Sequence, residues 1–162
     1  KALKSSFAVR AKIASSLRRA FEAAAFIETE TPVGIFAPAA EEYIEAPKAA
    51  SFFLRTSPEL QMKRLLAAGM ERIYQLGPCF RAGENGRRHR PEFTMLEYYM
   101  TGADYLELLD FTRGFLASIC SDLYGSHRFR FGENTIDIDK LEIIPVATIE
   151  ETLNLALEDP EV

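Results

Sequence analysis

The sequence has no tryptophan, two cysteines (Cys79 and Cys120) and two histidines (His89 and His127) among its 162 residues. Two thiols without close spacing make no disulfide framework and favour a reduced compartment. Two scattered histidines give no zinc-site pattern, and no resident metal is expected on these residues. No uncharged apolar run approaches the roughly 18 residues of a membrane span. The opening KALKSSFAVRAK lacks the apolar core of a secretory signal. A cytoplasmic protein with no membrane partner is therefore expected. There is no GxxxxGK[ST] and no GxGxxG, which excludes an ordinary P-loop or Rossmann nucleotide site. The chain also lacks an initiator Met and reads as a piece of a longer protein.

What is present is a globular composition. With 48% apolar and 27% charged residues the chain is not disordered, and its length suits one domain over residues 1–162. The net charge of −5 argues against non-specific nucleic-acid binding. The charge is uneven, however. Residues 1–20 carry six bases and no acid, residues 133–162 are strongly acidic, and residues 81–90 gather Arg81, Arg87, Arg88 and Arg90 against Glu84 alone.

Along the chain, residues 6–25 read as an amphipathic helix, with Val9, Ile13, Leu17, Phe21 and Ala24 at helical spacing. Residues 26–30 alternate like a short strand ending before Pro32. Residues 33–50, rich in Ala and Pro, read as a covering loop or irregular connection. A strand over 51–56 is followed by a helix start: Ser57 as N-cap, Pro58 at the first helical position and Glu59 in the first turn, with a stop at Gly69. Residues 72–80 and 92–100 read as two strands of a long hairpin with a basic tip over 81–91. Asp104 with Glu107 forms a capping box for a helix to Leu123, ended by Gly125. One or two short strands follow over 127–138. Thr148 with Glu151 makes a second capping box, for a helix that ends before Pro160. This order favours an α+β fold: a mostly antiparallel sheet flanked by helices.

The hairpin carries the chemistry. Alternation puts Phe93, Met95, Glu97 and Tyr99 on one face of the second strand, and Gln75, Gly77, Cys79 and Arg81 on one face of the first. A carboxylate in line with aromatics suits a pocket for a cationic group, since a buried carboxylate needs a partner. An edge strand with Glu97 in water would show the same pattern, and the pattern alone leaves both readings open. Arg81, Arg87, Arg88, His89 and Arg90 suit a polyanion such as a triphosphate; a solvated basic loop would look alike.

Three segments carry a family resemblance. Thr56-Ser57-Pro58-Glu59-Leu60-Gln61-Met62-Lys63-Arg64-Leu65-Leu66 resembles the core of lysyl- and aspartyl-type class II aminoacyl-tRNA synthetases. Cys79-Phe80-Arg81, continuing through Gly86-Arg87-Arg88-His89-Arg90-Pro91-Glu92-Phe93-Thr94-Met95-Leu96-Glu97-Tyr98-Tyr99, resembles motif 2 of that class, spanning about residues 72–100. Phe26-Ile27-Glu28-Thr29-Glu30-Thr31-Pro32 with its preceding helix, about residues 6–32, resembles motif 1. Within the class the likeness is nearest to the lysyl-tRNA synthetase paralogues that act as elongation factor P–lysine ligases, on the Phe80-Arg81-Ala82-Gly83-Glu84-Asn85-Gly86-Arg87 pattern and on a chain that opens directly on the motif 1 helix.

The resemblance implies an enzyme that activates lysine or a β-lysine-like amino acid with ATP and Mg2+. The aminoacyl-adenylate would then pass its acyl group to a lysine of elongation factor P. In a true lysyl-tRNA synthetase the acceptor would be tRNA, and a non-catalytic synthetase-like binding module is a third reading. It also implies a homodimer through motif 1. By the same resemblance Arg81 is the catalytic arginine at the ATP α-phosphate. The ATP-binding set is Arg81, Ala82, Gly83, Glu84, His89, Arg90 and Phe93, the last stacking on adenine. The substrate set is Ser57, Pro58, Glu59, Glu97 and Tyr99, with Glu97 and Tyr99 at the lysine ammonium. The sequence departs from the family at Ala25, where glycine is usual, at Gly83, where an acid is usual and Glu84 follows one step later, at Arg90 in place of asparagine, and in the Tyr98-Tyr99-Met100 ending. No third motif is found after Leu123. The chain is expected to stop about halfway through the catalytic domain, to be inactive alone, and to leave the Mg2+ ligands to the missing C-terminal half.

Overall fold

A computed structural model describes residues 2–141. The capping box at Thr148 and Glu151 and the helix before Pro160 lie outside the described residues.

The first helix, α1 (Ala2–Ala23), begins earlier and ends sooner than the 6–25 expected. Its apolar stripe is divided. Leu17 and Phe21 are buried, Ile13 packs at the core's edge, and Val9 is exposed along with Leu3 and Phe7. Helical spacing identifies a stripe but does not say which part of it has a partner. The helix closes as a Schellman motif: the N–H of Phe26 donates to the Phe21 carbonyl and that of Ala25 to the Glu22 carbonyl, each at 2.9 Å. That closure puts Ala25 at φ 59°, in the left-handed region where a Cβ crowds the backbone. The usual glycine of the family would be unstrained there. Ala25→Gly is therefore expected to stabilise the chain by about 1 kcal/mol, or ~2–4 °C in Tm. Thermal denaturation checks this, and a lower Tm would mean that the turn is not strained.

The central sheet has the order β1 (Ile27–Glu28), β5 (Arg72–Phe80), β6 (Glu92–Met100). β5 and β6 form the expected antiparallel hairpin, in register from Arg72↔Met100 to Phe80↔Glu92. β1, shorter than the 26–30 expected, runs parallel to β5 through Ile27↔Ile73 and Glu28↔Tyr74. The parallel ladder follows from the long crossover between the two strands, which includes α2. A second sheet, antiparallel, takes β2 (Gly34–Ile35), β4 (Phe52–Leu54) and β3 (Lys48–Ala49) in that order. Two of its strands lie within the segment expected to be irregular. They are two residues long, too short for period-two alternation to reveal. β7 (Arg128–Phe131) and β8 (Asn134–Asp137) make a small hairpin, followed by a 3₁₀ turn over Ile138–Lys140.

Helix α2 (Glu59–Ala67) starts one step later than expected. Pro58 rather than Ser57 holds the cap position, and the Ser57 hydroxyl accepts the Glu59 N–H at 3.3 Å. Gly69, at φ 96°, follows the helix end as expected. Helix α3 (Tyr105–Tyr124) carries the full capping box. Asp104 accepts the N–H groups of Leu106 and Glu107, and Glu107 accepts that of Asp104.

The core lies between α1, α3 and one face of the β5–β6 hairpin, the face bearing Tyr74, Leu76, Leu96, Tyr98 and Met100. Phe21 stands at its centre. The rings of Phe26, Tyr74, Tyr98, Phe111 and Phe115 lie with centroids 4.5–5.3 Å from its own. Ser16 and Arg19 of α1 both donate to Asp122 of α3, fastening the two helices. With one sheet face committed to this core, the other is left for a site.

Candidate active site

Period two decides what the free face shows. Ile73, Gln75, Gly77 and Cys79 of β5 stand opposite Tyr99, Glu97, Met95 and Phe93 of β6, so both expected rows fall on one surface. The floor is dry: Ile73, Cys79 and Met62 of α2 are fully buried, and the Cys79 and Met95 sulfurs are 4.0 Å apart. Burial pushes the Cys79 thiol up from its ordinary value.

β6 is an edge strand of the described sheet, but Glu97 on it is half-buried rather than standing in water. The Tyr99 phenol donates to Glu97 Oε1 at 2.6 Å. Burial raises the Glu97 carboxyl above the usual carboxylate range; the Tyr99 hydrogen bond opposes that rise, and the Glu59 carboxylate adds to it. The Tyr99 phenol is itself pushed up, first by burial and then by donating to Glu97. Glu59 enters from the first turn of α2, with Lys63 ion-paired to it one turn on. Pro58 is fully buried beneath, and Ser57 fixes the start of the helix. Of the five expected substrate residues, Glu59, Glu97 and Tyr99 lie within electrostatic reach of one another, while Ser57 and the buried Pro58 shape the start of α2. Two carboxylates and a phenol there make a receptor for an ammonium ion.

The second group lies at the far end of the hairpin. The Arg81 guanidinium lies over the Phe93 ring, 5.2 Å from its centroid, and Nη1 is 3.6 Å from Glu84 Oε1. Among the described residues its Nε is buried without a hydrogen-bond partner. Gly83 turns at φ 76°, and the acid one step later folds back onto Arg81. The Ala82 N–H donates to the Glu45 carbonyl at 2.8 Å, tying the tip to the 33–50 segment. Gly83, Glu84, Asn85, Gly86 and His89 line a hollow of about 270 Å³. Arg90 does not line it; its Nη1 reaches only the Gly86 carbonyl, at 3.5 Å, and with Arg87 and Arg88 it is exposed. A larger hollow, about 810 Å³, opens between α1 and the hairpin and includes none of Glu59, Glu97 and Tyr99.

Two features had no local signal. Arg55, after β4, is wholly buried against this sheet face, and a lone arginine between a strand and a turn looks solvated in sequence. Glu41, in the segment read as a covering loop, reaches back to accept the Thr56 hydroxyl at 3.2 Å. Among the described residues no cluster of three or more His, Cys, Asp and Glu side chains could hold a metal ion. No described helix is long and apolar enough to cross a membrane.

The long hairpin with Arg81 over the Phe93 ring, the acidic surface beside it and the α1 helix behind it fit a class II synthetase fold. The family model for class II tRNA synthetases of the D, K and N type matches residues 1–159, and the chain belongs to that family. Its relatives are ligases. It is 38% identical over 139 residues to a lysine–tRNA ligase of Shewanella denitrificans, covering 83% of this chain and 28% of that protein. It is 40% identical over 137 residues to the lysine–tRNA ligase of Shewanella piezotolerans (81% and 27%), and 37% identical over 139 residues to that of Vibrio parahaemolyticus (83% and 28%). The chain thus spans less than a third of the length of these relatives.

Proposed function

We propose that this chain is the amino-acid-recognition half of an ATP-dependent ligase that activates lysine or a β-lysine-like amino acid. The observation that carries the reading is the convergence of Glu59, Glu97 and Tyr99 on one half-buried surface, with Arg81 and its unpartnered Nε at the other end of the same hairpin. Glu97 and Tyr99 bind the side-chain ammonium and Glu59 the α-amino group. Arg81 faces the α-phosphate of ATP, and Phe93 supplies the ring on which adenine stacks. Gly83, Glu84 and His89 line the hollow on the phosphate side, with Ala82 holding the tip to the 33–50 segment and Arg90 exposed beside it. The substrate carboxylate oxygen attacks the α-phosphorus and pyrophosphate leaves; an acceptor amine then attacks the acyl carbon and AMP leaves. Arg81 holds the charge that develops on the phosphoryl oxygens, and positioning supplies most of the remaining rate. Mg2+ accompanies ATP in this scheme, with its ligands outside the described residues.

For the acceptor, the tip sequence at residues 80–87 supports a lysine of elongation factor P. The names of the relatives favour tRNA instead. Incubating the complete gene product with ATP, lysine and either acceptor, and weighing the acceptor afterwards, separates the two. The exposed Leu3, Phe7 and Val9 of α1 support a homodimer through the motif 1 helix; a monomer in sedimentation at micromolar concentration would remove it.

The pocket is tested by calorimetric titration with a non-hydrolysable lysyl-adenylate analogue against its aspartyl counterpart. Lysyl-selective binding is expected, and equal or absent binding would sink the reading. Glu97→Gln is expected to weaken L-lysine binding by about 1.5–3 kcal/mol, from a lost charged hydrogen bond. An unchanged dissociation constant would remove Glu97 from the pocket. The same substitution is expected to leave the fold no less stable, because burial already favours the neutral form. The sign follows from linkage. With its folded value raised, Glu97 binds its proton more readily folded than unfolded. Its contribution to stability therefore grows as pH falls through the folded value, and is complete below the unfolded value of about 4.3.

A further inference from the structure

Arg55 joins β4 to the turn that opens α2, and it is 1% exposed. A buried cation ordinarily has a carboxylate against it. The hydrogen bonds of Arg55 go instead to neutral oxygens. Nε donates to the Pro78 carbonyl at 2.9 Å, and Nη1 to the Thr31 carbonyl and hydroxyl at 2.8 and 3.0 Å. Thr31 in turn donates its N–H and O–H to Gln75 Oε1 at 3.1 and 3.0 Å. The main chain is fixed as well: the Arg55 N–H donates to the Val33 carbonyl and the Phe80 N–H to the Arg55 carbonyl, each at 2.9 Å. Nη2 lies 2.8 Å from the point where Gly77 would carry a Cβ. Only glycine at 77 lets the guanidinium lie against the sheet.

That sheet face is the pocket face. Gln75 stands directly across the hairpin from Glu97, and Gly77 is the next residue on the same side. The groups that face Glu97 are Tyr99 on β6, Cys79 on β5, Glu59 and Lys63 on α2, and Arg55. Lys63 is engaged by Glu59, and Arg81, just past the end of β5, is turned to Glu84 and Phe93. Arg55 offers its charge without an ion pair to Glu97 among the described residues, so the acceptors of Glu97, apart from the one bonded to Tyr99, stay open for a ligand.

We propose that Arg55 is a positioning residue of this site, a buried guanidinium held by Thr31 and Pro78 and given room by Gly77 that eases ionisation of Glu97 toward an incoming ammonium. The proposal rests on reading Glu97 as the ammonium-binding group.

The test is a carbon-13 titration of the Glu97 side-chain carboxyl in the full 162-residue chain. Arg55→Gln is expected to raise its midpoint by a few tenths of a pH unit, on the order of the weakest charge effects, while Arg55→Lys, which keeps the charge, stays nearer the wild type. If Arg55→Gln does not fold, Gly77→Ala serves in its place. Its methyl would lift the guanidinium off the face and move the midpoint in the same direction by less. A Glu97 midpoint that is the same in the wild type and in a folded variant overturns the proposal. Titration with L-lysine on the same samples adds a readout that a structural role would not move. The affinity of Arg55→Gln should fall at a higher pH than that of the wild type and recover on the alkaline side. Wild-type chain that ignores L-lysine while the carboxyl shift persists would sink the amino-acid reading and leave the electrostatic role of Arg55 standing.

Discussion

Phe21→Ala is expected to cost about 3–5 kcal/mol of stability, the range for an aromatic ring lost from a packed core. The reason is where the ring sits. It is fully buried, and five aromatic neighbours from β1's entry, both hairpin strands and α3 have no other common partner. Removing it leaves a void lined by stiff rings, which collapse poorly because each is also held by others: Phe26 stacks on Phe111, and Tyr98 packs against Phe115. Since a domain is stable by only about 5–15 kcal/mol, a measurable fraction of the variant unfolds. Urea denaturation reads the change; a loss below about 1 kcal/mol would show that the core closes without this residue.

Arg81→Ala, introduced into the complete gene product, is expected to lower lysine-dependent ATP–pyrophosphate exchange by roughly 10²–10³-fold, the usual cost of removing one preorganised donor at developing charge. The guanidinium is held before any nucleotide arrives, by the Phe93 ring on one side and Glu84 on another, so little reordering remains for the reaction step. Arg81→Lys should recover little, because a point charge cannot reproduce the planar fork. A loss under tenfold would take Arg81 out of the chemistry.

Much of this was legible in the sequence because it depends on short-range rules. The capping box at Asp104 and Glu107, the stops at Gly69 and Gly125 and the nine-residue strands of the hairpin each follow from neighbours within a few positions. Alternation also put Glu97 and Tyr99 in line with Phe93, and the register then added the β5 row to the same face. What escaped depends on distant partners. Arg55 reads as an exposed base until Thr31 and Pro78, both more than twenty residues away, are folded around it. β2 and β3 exist only through their pairing with β4. Val9 and Leu17 share a stripe, and only the position of α3 and the hairpin decides which is covered.

The clamp between α1 and α3 has a consequence in time. Phe21 is made early, but Phe111 and Phe115, which close over it, come roughly ninety residues later. At about 5–20 residues per second of synthesis, the α1 stripe waits on the order of 5–20 s before its cover exists. Until then the Phe21 ring has Phe26 and, as the hairpin is made, Tyr74 and Tyr98 to pack against. Full closure of the core waits for α3.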